Sequence, residues 1–162
     1  MKSALVLLIA MMHGCGGDCA RSAQPRLTVG AGEIAFEPLS ETDPSYELIH
    51  GPQGGWHLLI GLDAAGLDAR GVVVAEMQAT IDGEVVARNE GAWLTFRCSE
   101  DTQTLQAWNS FLIFDPDRFD SPCSLHDKEV EVTVTVPDSK GDPLTETVTA
   151  RIDDPRHNEC EE

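Results

Sequence analysis

Four groups of side chains have the types and spacing to do chemistry. His50 and His57 flank a glycine-rich stretch and, with Met77 or His126 as a further donor, would suit copper or zinc. Asp115, Asp117 and Asp120 share one short segment and carry the oxygen donors that calcium takes, without the glycine and distal glutamate of an EF-hand loop. Ser121, Ser124 and His126 bring hydroxyls and a base together in sequence, but no nucleophile elbow surrounds them. Trp56, Trp93 and Trp108 are aromatic groups on which a sugar or peptide could stack; Trp108 is the best candidate for exposure, with packing favoured even there.

Each group has a plainer role. In regular strands the alternation of side chains puts His50 and His57 on opposite faces, so they share an ion only if the glycines break the pattern. The aspartates read as a turn with solvated carboxylates, since Asp115-Pro116 starts turns. Triads are recognised by geometry and not by proximity in sequence. The expectation is therefore a protein without catalytic residues or cofactor, with the tryptophans mainly in the core.

The elements that position these residues are strands. Leu27 and Val29, then Ile34 and Phe36, alternate with small or polar neighbours. In YELIHGPQGGWHLLIGL, residues 46–62, the segment 51–55 reads as a hairpin loop. His50 then faces Trp56, Leu48 faces Leu58 and Tyr46 faces Ile60, which gathers large apolar groups on one side. Residues 72–81 alternate again, and Asp82-Gly83 turns the chain back through residues 84–88. Further strands are expected over residues 93–98, 105–114, 130–136 and 144–152, the third with a valine at every second position. About seven to nine short strands separated by turns predict an all-β antiparallel sandwich, immunoglobulin-like, with a small closed β-barrel as the alternative. The domain is expected over 26–153, with an acidic tail over 154–162.

The chain has 162 residues, with 28 acidic against 11 basic side chains and a net charge of −17. Such a surface repels phosphate backbones, which argues against a nucleic-acid partner. Of the five cysteines, Cys19, Cys98, Cys123 and Cys160 form an even set suited to two disulfides, and their spacing lacks the paired CxxC of a structural zinc site. Cys98 with Cys123 is the favoured pairing, because both lie inside the domain, leaving Cys19 and Cys160 to join its ends.

The remaining cysteine, Cys15, follows Lys2, an apolar run over residues 4–12, and Gly14. That run is too short to span a bilayer, for which about 20 residues are needed, and reads as the core of a signal peptide. Gly14-Cys15 resembles the lipobox of bacterial lipoproteins. The resemblance implies removal of residues 1–14, acylation of Cys15 as the new N-terminus, and a flexible spacer over 15–25. Gly16, in place of Asp, resembles the outer-membrane pattern. GPQGGWH, residues 51–57, is similar to a motif of small uncharacterised bacterial lipoproteins, a resemblance that implies kinship and no chemistry. The expected protein is anchored in the cell envelope and presents a binding or structural module to an envelope protein or glycan. Its expected contact loop comprises His50, Gly51, Pro52, Gln53, Gly54, Gly55, Trp56 and His57. A secreted or periplasmic domain, an extracytoplasmic metal-binding lipoprotein and a hydrolase are the alternatives.

Overall fold

A computed structural model of the chain describes Cys19 and residues 24–52, 54–69 and 71–156. Ten strands are described: β1 (Arg26–Ala31), β2 (Ser45–Glu47), β3 (Ile49–His50), β4 (Trp56–Ala65), β5 (Val72–Ile81), β6 (Glu84–Thr95), β7 (Arg97–Cys98), β8 (Leu105–Ile113), β9 (Glu129–Val136) and β10 (Leu144–Asp153). They form two sheets, one in the order β1-β4-β8-β7 with β3 also paired to β4, the other in the order β2-β10-β9-β5-β6. All described pairings are antiparallel except β2 with β10. The first order is that of strands A-B-E-D of an immunoglobulin sandwich, and the second places the last strand beside the strands that serve as F and C. The chain is thus an immunoglobulin-like sandwich. A bridge between Ala87 and Phe114 curls the β6 edge of one sheet towards the other without merging them into a barrel.

The period-two segments make this architecture because each can turn a whole apolar face inward. Val130, Val132, Val134 and Val136 of β9 are buried opposite Leu58, Ile60, Leu62 and Leu112 of the facing sheet, within one continuous core. On the outer face of the same strands, threonine hydroxyls pair across β9 and β10, Thr133 with Thr147 and Thr135 with Thr145, each at 2.9 Å. Asp82 and Gly83 have φ of 51° and 79°, the left-handed pair that a tight two-residue hairpin requires.

Three sequence expectations are corrected. His50 does face Trp56, and Ile49 faces His57, but the register stops there. Tyr46 pairs with Ile152 in the other sheet, because β1 takes the side of β4 from Ile60 onward. Residues 84–88 and 93–95 belong to one strand, since the turn-prone Asn89 to Gly91 segment is absorbed as a bulge, with Asn89 Oδ1 accepting from the Gly91 amide at 3.2 Å. Ile34 lies outside any strand and is 80% exposed, while Phe36 folds back over Gly30 and Gly61.

β4 runs through the middle of its sheet and is buried on both faces. Its ten residues give the sandwich a length of about 30 Å. One end carries the 51–55 loop, the Asp82-Gly83 turn, and the segments around Asp115 and His126. The other carries residues 66–69, 99–104 and 137–143, together with Cys19.

Candidate functional surfaces

At the first end, the 51–55 loop closes on itself. The Gly51 amide donates to the Gly55 carbonyl and the Gly54 amide to the Gly51 carbonyl, both at 3.0 Å. Gly54 and Gly55 have φ of 85° and 83°, which is why glycines stand there. Gln53 lies outside the described residues. Pro52 and Gly54 are exposed, and His50 stands beside them with its ring 4.7 Å from that of Trp56. The Arg156 guanidinium lies 4.8 Å from the centre of the same indole. Trp56 is buried, and so is Asp154, whose Oδ1 accepts from the Arg156 amide at 3.1 Å. The start of the acidic tail is therefore packed against the domain.

His57 belongs to the other face of β4, as alternation requires. It is buried against Phe111, ring centres 5.0 Å apart, and pairs in register with Ile113. Burial pushes its imidazole below the ordinary histidine value, and the nearby His50 adds to the shift. Phe111 and Ile113 are 44% and 56% exposed, so an apolar strip runs outward from His57 beside the glycine loop.

The other groups picked out for chemistry are tied up in local structure. Among the described residues, no three His, Cys, Asp or Glu side chains converge as metal ligands. Met77 is a core residue. Asp115 caps its own turn, its Oδ1 accepting from the Asp117 amide at 3.0 Å, and Asp120 is exposed beyond it. Ser121 Oγ accepts from the Cys123 amide, and Ser124 Oγ donates to the Ser121 carbonyl at 2.7 Å. His126 Nδ1 accepts from the Asp154 amide at 3.2 Å, so the imidazole atom facing the chain is already engaged. These contacts hold a short 3-10 turn, Pro122–Ser124, and assemble no triad.

The second end differs most from what the sequence suggested. Cys19 is bonded to Cys98, with a Cα–Cα distance of 5.6 Å, and is 5% exposed. This corrects the pairing of Cys98 with Cys123, the joining of Cys19 to Cys160, and the flexible spacer at residue 19. The reason is geometric: Cys98 pairs with Leu105 at the start of β8 while Cys123 lies beyond its other end, and the nine residues of β8 span about 30 Å, whereas a disulfide needs Cα atoms within about 7 Å. Cys123 is also disulfide-bonded. Cys15 and Cys160 lie outside the described residues. Near Cys19, buried Asp63 accepts from Thr104 Oγ1 at 2.5 Å and Gln106 Nε2 at 2.8 Å, with Arg26 at 3.4 Å.

Close to that staple, on the outer face of the second sheet, stands Trp93. It is 78% exposed, and its cross-strand partner Val74 and the nearby Val72 are exposed too. A shallow depression beside them is lined by Val72, Val74, Pro137 and Lys140. Trp108, the best candidate for exposure by sequence, is half-buried under the Arg97 guanidinium at 5.4 Å. The signal missed in the sequence was the position of Trp93 on an edge strand, where the neighbours that would cover it are on one side only.

The fold and these surfaces define an extended immunoglobulin-like sandwich with an exposed apolar area near each end. No protein-family model and no curated protein sequence matches the chain.

Proposed function

We propose that this chain is a lipid-anchored bacterial envelope protein, tethered through acylated Cys15, whose immunoglobulin-like domain serves as a non-catalytic binding module. The observation that carries the reading is the Cys19–Cys98 bridge. Disulfides persist in oxidising, extracytoplasmic compartments, which agrees with the export signal read over residues 1–14. Several acyl chains on Cys15 would hold the protein where one would bind only marginally.

The bridge also gives the tether a direction. With residue 19 held at one end of the sandwich, at most about 14 Å of chain separates Cys15 from the domain. The opposite end, about 30 Å further on, then faces away from the membrane. It presents the 51–55 loop beside exposed Phe111 and Ile113, an apolar strip next to a polar rim that suits an envelope protein or glycan partner.

The test is the intact mass of protein extracted from a Gram-negative envelope, before and after reduction. A chain beginning at Cys15 with added acyl mass, and membrane fractionation lost in Cys15→Ala, is the expected result. A soluble, unacylated chain cut elsewhere refutes the anchor.

A further inference from the structure

Resting on the anchored reading, we infer that Trp93, Val72 and Val74 form a membrane-contact patch that works as a second attachment beside the Cys15 lipid. Two independent observations meet here. The first is the patch itself: a tryptophan 78% exposed, flanked by two exposed valines, on a sheet face whose other outward side chains are mostly threonine, glutamate, glutamine and arginine. Apolar groups in water gain from any apolar surface that covers them, and tryptophan in particular settles at the level of lipid headgroups.

The second observation is where the tether attaches. Cys98 follows Trp93 by five residues, and β6 and β7 are consecutive strands at the edges of the two sheets. The patch and the Cys19–Cys98 staple therefore share one end and one lateral edge of the sandwich. Trp93 pairs with Val74 near the start of β5, the strand that follows the end of β4 at which Arg26 and Ala65 meet. A chain at most about 14 Å long between Cys15 and Cys19 brings this edge down to the bilayer and leaves the far end out of reach.

Charge selects the kind of membrane surface. The chain carries a net −17, and the segments that meet at this end bring Asp68, Glu100, Asp101, Asp138 and Asp142 against Arg26, Arg97 and Lys140. Acidic groups outnumber basic ones at this end even with Arg97 beside the staple and Lys140 paired to Asp68, so anionic headgroups are disfavoured and the contact is apolar, suited to a zwitterionic leaflet. The anchor holds the patch at high effective concentration against the surface, so a contact too weak to bind the protein by itself is populated.

The experiment uses the acylated full chain reconstituted into phosphatidylcholine vesicles with and without spin-labelled lipid, reading tryptophan emission. Spin label is expected to quench the wild-type protein, and the quenchable part is expected to vanish in Trp93→Phe, leaving buried Trp56 and half-buried Trp108 unaffected. Replacing most of the phosphatidylcholine by phosphatidylglycerol at low salt is expected to weaken the quench, and added salt to restore it. A ten-residue Gly/Ser insertion after Gly17 is expected to reduce it severalfold, because a longer tether dilutes the patch at the surface. Acylated protein whose emission ignores the spin label overturns the inference while sparing the anchor, and leaves Trp93 turned outward to a protein or glycan. A mass without acyl groups on Cys15 overturns both, since the staple then sets no distance to a membrane.

Discussion

Removing the Cys19–Cys98 bridge by the double substitution Cys19→Ser/Cys98→Ser is the sharpest test of how this domain is held together. The bond closes a loop across a separation of 79 residues that contains the first seven strands. Freeing that loop returns conformational entropy to the unfolded chain, which for this length amounts to about 4.5 kcal/mol at 25 °C. A domain of this size loses about 3 °C of melting temperature per kcal/mol, so the variant is expected to melt about 13 °C lower. The assay is thermal unfolding by near-ultraviolet circular dichroism, paired with non-reducing peptide mapping of the parent. Mapping should join the peptide containing Cys19 to the one containing Cys98. A melting temperature within about 3 °C of the parent would refute the loop argument. A peptide joining Cys98 to Cys123 would refute the placement of those residues at opposite ends of the sandwich.

Asp63→Ala strips Thr104 and Gln106 of their shared acceptor inside a buried site and is expected to cost about 1–3 kcal/mol in urea unfolding; an unchanged midpoint would show that water replaces the carboxylate without loss. In Gly61→Ala the new methyl would lie 2.2 Å from the Ala31 carbonyl oxygen, so β1 must shift, at about 1–3 kcal/mol. Wild-type stability for that variant would mean β1 is not seated on β4 there. His57 titrates below its ordinary value when folded, so the unfolded chain binds the extra proton first as pH falls. Its contribution is fully present above about pH 6.5 and is lost as pH drops below that towards the folded value. His57→Gln should flatten this acid limb of the stability curve; an imidazole that titrates by NMR at or above the ordinary value would reverse the sign and end the argument.

Much of the fold was legible because its signals are local. The valines of 130–136, the alternation of 72–81 and the Asp82-Gly83 turn each state a period or a backbone requirement within a few residues, and all three elements stand where they were expected. The pairing of His50 with Trp56 was legible for the same reason, since a loop of five turn-prone residues sets the register next to it. Two strands further along, that local logic met a competitor. Both β1 and the residues before β3 could pair with β4, and which of them did so depends on how Tyr46 and Leu48 are buried against the other sheet.

By itself, then, the sequence determined the kind of element each segment forms, the all-β class and the acidic character of the surface, because periodicity, turn chemistry and charge act over short distances or add without regard to position. Only the tertiary structure decided which cysteine meets Cys98, that Trp93 and not Trp108 faces solvent, and that His57 is buried beneath Phe111. Those outcomes depend on which strands become edges and on which residues share an end of a sandwich about 30 Å long. Both are set when two sheets bury one core together, a condition that no segment of the chain carries alone.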